Sequence, residues 1–99
     1  MINDKLLFPK SIVVIGGSND LRKPGGKVLK NLLDGKFKGE LYVINPKETE
    51  VQGVKSYGNI IELPFVDTAI IAIASKYILE TVEVLAHKKN TRGFIILSA

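Results

Sequence analysis

Apolar positions along the chain fall into four unbroken runs separated by striped or punctuated segments. The runs are Ile12 to Ile15, Leu41 to Ile44, Thr68 to Ile73 and Phe94 to Leu97. Runs without polar alternation are what parallel strands show when both faces are buried. Between them the period changes to that of a helix. Val28, Leu29, Leu32 and Leu33 form one stripe, with Lys27, Lys30, Asn31 and Asp34 off it, which predicts a helix from about Gly25 to Asp34. Ile78, Val82, Leu85 and Ala86 form another, which predicts the longest helix, roughly Lys76 to Lys89.

The polar positions supply the stops. Gly16 and Gly17 end the first run, and Gly35 is placed as the C′ residue of the first helix. Asn45-Pro46 stops the second run. Glu50 to Gly58 reads as irregular, with a turn at Val51 to Val54 before a short extended piece. Asn59 caps one or two helical turns before Pro64, and Asn3 caps a short turn through Leu6 and Leu7 that Pro9 ends. Ser75 is a sound N-cap for the long helix. Glu80 and Glu83 early in it, and His87, Lys88 and Lys89 late, suit its dipole.

Strands joined by helical crossovers predict an α/β domain with a Rossmann-like, doubly wound parallel sheet. The expected arrangement is four strands in the order 3-2-1-4 with a crevice beside strand one. The link between the second and third runs lacks a full-length helix. A doubly wound sheet normally continues past its fourth strand, so residues 1–99 are expected to be one domain, the N-terminal piece of a longer protein. Phe94 to Leu97 is then an uncharged edge, from which homo-oligomer formation is expected.

Composition narrows the function classes. Fourteen Lys and Arg against ten Asp and Glu give +4, spread along the chain as on a solvated surface rather than gathered into a nucleic-acid footprint. No nucleic-acid partner is expected, whereas an anionic small ligand would use that charge. The absence of cysteine excludes disulfides, thiolate metal sites and cysteine nucleophiles. No apolar run reaches the roughly 18 residues of a membrane span, and the start Met-Ile-Asn-Asp-Lys is no signal peptide. No membrane partner and a cytoplasmic location are the expectation.

Candidate chemistry gathers at the C-terminal ends of the strands. Gly16, Gly17, Ser18 and Asn19 form a loop between a strand and a helix, where backbone N–H groups and the helix's positive end can meet a phosphate. The G-x-G-x-x-G spacing is absent, since Ser18 stands where a second glycine would. A tight turn without ligand is the plainer reading, and further twin glycines at 25–26 weigh against it. At the tip of the second strand, Asn45-Pro46-Lys47 replaces the carboxylate that binds ribose hydroxyls in NAD-binding folds. Lys47 there favours an extra ribose phosphate, at the 2′ position in NADP or the 3′ position in coenzyme A; an ordinary exposed lysine is the alternative. Ile73, Ala74 and Ser75 are small enough at a strand's end to let a flat ring or chain lie across them, though capping accounts equally for Ser75. The single histidine, His87, sits among lysines at a helix end and reads as solvated. Asp20, Glu62, Asp67 and Glu80 form no recognisable pair, and no metal-ligand spacing occurs. Neither a catalytic nor a metal-binding residue is expected.

Together these residues resemble the CoA-binding domain at the N-terminus of ADP-forming acyl-CoA synthetases, related to the α subunit of succinyl-CoA synthetase. The resemblance runs through Leu7 to Ile12, Val14 to Asn19, Gly25 to Leu33, Val43 to Lys47, Gly53 to Tyr57, residues 67–74 and Ile95 to Ala99. It implies that Gly16, Gly17, Ser18 and Asn19 hold the CoA phosphates and that Lys47 lies near the adenosine end. It further implies that Ile73, Ala74 and Ser75 border the nucleotide, and that Ser98 faces the pantetheine arm. Many relatives carry a proline where this chain has Ala74-Ser75. The family's phosphorylated histidine lies in a following domain, so downstream ligase domains or a partner subunit are implied. The function expected is CoA binding within an acid–CoA ligase that forms a nucleoside diphosphate; an NADP-binding domain or a stand-alone CoA-binding protein is the alternative.

Overall fold

The structure is a computed structural model and describes residues 9–97; the turn expected after Asn3 and the site residue Ser98 lie outside that range. The first strand, β1 (Ser11–Ile15), is buried at every position. Its side chains alternate between two cores on opposite faces of one sheet. Val13 and Ile15 join Ile44, Ala69, Ile71 and Leu85 on one face, whereas Val14 joins Leu29, Val43 and Val51 on the other. An uninterrupted β-branched run is what a strand covered on both sides requires.

Helix α1 (Pro24–Asp34) covers the Val14 face through Leu29, with Val28 and Leu32 half-buried beside it. Leu33, expected on the buried stripe, is 36% exposed at its margin. Proline at the first helical position has its φ pre-set and lacks only an N–H that the helix cannot use. The helix does not end on a left-handed glycine as expected. Gly35 stays right-handed, and Lys36 takes the positive φ of 54°. The Lys36 N–H donates to the Leu33 carbonyl and that of Phe37 to Leu32, both at 3.1 Å, which closes a Schellman motif one residue later than predicted.

The next strands correct the expected sheet. After β2 (Glu40–Ile44), the segment read as irregular forms β3 (Glu50–Val51) and β4 (Val54–Tyr57), an antiparallel hairpin. Its two-residue loop, Gln52-Gly53, has φ of 50° and 84°, the positive values of a type I′ turn. Beyond the short 3₁₀ turn Ile60–Glu62, whose Ile61 N–H donates to Asn59 Oδ1 as expected, come β5 (Thr68–Ile71), helix α2 (Ile78–Lys88) and β6 (Gly93–Ile96). Among the described residues the sheet has six strands in the order β3-β4-β2-β1-β5-β6, parallel except for β3. The order 3-2-1-4 therefore fails on its third and fourth strands, since β6 pairs with β5 and not with β1. Thr68–Ile71 pairs with β1, and the place outside β2 belongs to Val54–Tyr57. That strand escaped the pattern because it lies near the sheet's margin, where Lys55 is exposed and only Ser56 is buried.

Helix α2 and the 3₁₀ turn at 60–62 cover the face opposite α1, so the fold is doubly wound. The expected cap of α2 is also corrected. Ser75 opens a 3₁₀ turn, Ser75–Tyr77, its side chain caps neither helical segment, and the α-helix starts at Ile78. Thr81 is buried alongside Leu85. At the far edge β6 presents Ile95 and Ile96, 40% and 54% exposed.

Candidate functional site

The ends of β1, β2 and β5 meet at Gly16. Its N–H donates to the Ile44 carbonyl at 3.0 Å, and its φ is +87°. A Cβ there would sit 2.4 Å from the Ala72 carbonyl oxygen, so both the backbone conformation and the space require glycine. Gly25 completes the contact from the helix side, since its Cβ would fall 2.0 Å from the Gly16 oxygen. The first turn of α1 is thus pressed directly onto the glycine loop.

Two carboxamides hold the loop from outside. Asn45 Nδ2 donates to the Gly17 carbonyl at 3.0 Å, while its Oδ1 accepts the N–H groups of Lys47 and Glu48 at 2.8 and 3.2 Å, an Asx turn. Gln52 Nε2 donates to the carbonyls of Ser18 and Gly26 at 2.8 and 3.0 Å, and the Gln52 N–H donates to Asn19 Oδ1 at 2.7 Å. Ser18 Oγ accepts the Asp20 N–H at 2.9 Å. Among the described residues no acceptor takes the N–H of Gly17, Ser18 or Asn19, and no side chain caps the first turn of α1. Free N–H groups beside the positive end of a helix form a concavity for an anion.

The charges suit that purpose. Lys47 is exposed at the tip of β2 and has no ion-pair partner among the described residues. The acid nearest in sequence to the loop, Asp20, is occupied by Arg22, whose Nε and Nη2 lie 3.0 and 3.1 Å from its carboxylate. Those hydrogen bonds, and that of the Arg22 N–H, lower the Asp20 pKa from 3.8 to about 2.

Beside the loop, on the α2 face, opens a cleft of about 480 Å³. Ile15, Ile44, Ile60, Ile73 and Tyr77 give it an apolar lining, with Asn59, Thr81 and Glu80 as its polar groups. Ile73 joins the two regions, for its Cγ2 also borders Gly16.

The structure therefore brings Gly16, Gly17, Ser18 and Asn19 together with the tip of β2 that bears Lys47, and sets Ile73 in the adjoining wall. Ala74 and Ser75 lie on the exposed turn that follows, outside the cleft lining. Sequence reasoning missed Gln52 and the clamping role of Asn45, as well as Ile60 and Tyr77. A carboxamide next to glycine in a predicted turn was the available signal for Gln52; nothing local marked the cleft.

A parallel sheet with a glycine loop and an uncapped helix start at its C-terminal edge defines a Rossmann-like domain. Residues 10–99 match the model of a family described as a CoA binding domain, and the chain belongs to that family. It is 41% identical over 97 residues to a trans-feruloyl-CoA synthase from an unknown prokaryotic organism, covering 97% of this chain and 14% of the synthase. It is 40% identical over 97 residues to the α subunit of ADP-forming acetate–CoA ligase II of Pyrococcus furiosus, covering 97% of this chain and 21% of the subunit. A solved dinucleotide-forming acetyl-coenzyme A synthetase 1 of Ca. Korarchaeum cryptofilum, in complex with phosphate and ADP, superposes with a TM-score of 0.87. That match is 34% identical and covers 100% of this chain and 22% of the synthetase chain. The chain thus spans about a fifth or less of the length of these relatives. The expected resemblance to the CoA-binding domains of ADP-forming acyl-CoA synthetases holds.

Proposed function

We propose that this chain binds coenzyme A in the crevice at the end of β1, as the nucleotide-binding domain of an acid–CoA ligase that forms a nucleoside diphosphate. The observation that carries the reading is the set of free N–H groups at Gly17, Ser18 and Asn19 beside the uncapped start of α1. Lys47, without an acidic partner among the described residues, supports it. These groups fit an anion of several charges, and the 480 Å³ cleft is large enough for a flat ring.

In this reading the glycine loop holds the pyrophosphate and Lys47 meets the 3′-phosphate of the adenosine. The cleft wall at Ile73 receives apolar surface, and Ala74, Ser75 and Ser98 border the remainder. Bound CoA supplies the thiol that is acylated. The chain's own residues bind and orient it, and the ligation chemistry belongs to further ligase domains or a partner subunit of a cytoplasmic enzyme. Asn45 at the tip of β2, where a carboxylate would bind a ribose diol, argues against NAD.

Calorimetric titration of CoA, dephospho-CoA, NADP and NAD against the unmodified chain and Lys47→Ala tests this. A charge-assisted hydrogen bond contributes roughly 1.5–3 kcal/mol, and screening at an exposed site favours the lower end. Lys47→Ala should weaken CoA about tenfold and leave dephospho-CoA almost unchanged. A preference for NADP over CoA would overturn the reading.

A further inference from the structure

The hairpin loop at Gln52 is bonded to the glycine loop at two points and to the first turn of α1 at a third, and those bonds do more than tie segments together. A trans peptide is planar, with its C=O and the following N–H pointing opposite ways. Asn45 holds the Gly17 carbonyl and thereby fixes the direction of the Ser18 N–H; Gln52 holds the Ser18 carbonyl and fixes that of Asn19. Both N–H groups are among those without an acceptor in the described chain. The second proton of the Gln52 carboxamide goes to Gly26, so the same side chain ties the loop to the first turn of α1.

We propose that Gln52 is a positioning residue that, with Asn45, aims successive backbone N–H groups of the glycine loop at the ligand's pyrophosphate. The proposal rests on the CoA reading for the ligand's identity and on the hydrogen bonds for the latch. The backbone at Gln52 supports it. Its φ of +50° is one that glutamine adopts at a cost and that asparagine or glycine adopts readily. Hairpin stability alone therefore favours another residue. The length of glutamine is what reaches both the Ser18 and Gly26 carbonyls.

This separates the latch from a structural role. Gln52→Asn gives the loop the favoured Asn-Gly sequence of a type I′ turn but shortens the side chain. Its melting temperature should equal or exceed that of the unmodified chain, while CoA and dephospho-CoA, which share the pyrophosphate, should each weaken about tenfold. Gln52→Glu keeps the length, removes the donors and should show the same loss. In the ligand-free protein, the backbone ¹⁵N order parameter at Asn19 should fall in both variants, because the Ser18–Asn19 peptide loses the bond that orients it. A folded Gln52→Asn that binds both ligands within twofold of the unmodified chain would overturn the proposal, as would a loss confined to CoA. If the unmodified chain binds neither ligand, the CoA reading fails by itself. The order parameter at Asn19 then still decides the latch, and an unchanged value defeats it.

Discussion

The two halves of the crevice keep their shape by opposite means. At the glycine loop, the side chains of Asn45 and Gln52 grip backbone carbonyls, and Gly25 lets α1 touch Gly16 directly. In the apolar cleft on the other face such bonds lie at the 60–62 turn, where Asn59 Oδ1 accepts the Ile61 N–H and Lys89 Nζ donates to the Ile61 carbonyl. Ile15, Ile44 and Ile73 are held by packing against the Val13–Leu85 core. Directional bonds fix where N–H groups point, which a charged ligand requires; non-directional packing gives area, which suffices for a ring. The loop should therefore fail sharply under small changes and the cleft gradually.

The largest expected effect follows from Gly25→Ala. The new methyl would lie 2.0 Å from the Gly16 oxygen, a backbone atom that cannot swing aside. Overpacking of this kind costs typically 1–3 kcal/mol and here should reach about 3. Urea denaturation should show that loss, and CoA binding should vanish with it. Unchanged stability would mean that α1 is not seated on the loop.

Ile73→Ala probes the other half. Full burial would put the stability loss at about 2–5 kcal/mol; a half-buried side chain should lose roughly 1–2. Affinity for CoA, dephospho-CoA and adenosine should fall by a similar factor, about fivefold, and that factor should not depend on salt, because area rather than charge is removed. A loss restricted to the phosphorylated ligands would erase the distinction between the halves.

The same contrast explains what could be read in advance. β1, β2 and β5 announce themselves because burial on both faces forces long apolar runs. The glycine loop was legible because sterics at Gly16 leave one residue type. β4 was legible only as a short extended piece after a turn and not as a sheet strand, since a marginal strand can carry Lys55 outward, and leaving it out of the sheet put Thr68–Ile71 on the wrong side. Ser75 failed as a cap because the chain enters α2 through a 3₁₀ turn whose ends use backbone bonds. The predicted turn marked the place of Gln52 but not its partner, since Ser18 lies 34 residues away and the contact is made only when the sheet closes. The cleft is assembled from β1, β2, the 60–62 turn and α2, so it too is a product of topology.

The smallest effect should come from Asp20, the carboxylate that directly follows the loop. Three hydrogen bonds from Arg22 favour ionised Asp20, whose pKa falls from 3.8 to about 2. A carboxylate with a depressed folded pKa stabilises fully above its unfolded value and loses that contribution as pH drops through the folded one. The window is thus about pH 4 down to pH 2. Arg22 is 90% exposed, so solvent screens the pair and the effect at neutral pH should be minor. Asp20→Asn should melt slightly below the unmodified chain at pH 7, and the gap should close as pH approaches 2, where the native carboxyl is protonated as well. The cleft supplies the control, for Ile73→Ala removes no titrating group and its deficit should stay constant across the same window. Parallel melting curves at pH 7, 4 and 2.5 would read both. A gap for Asp20→Asn that widens toward acid would show that Asp20 acts through something other than its charge.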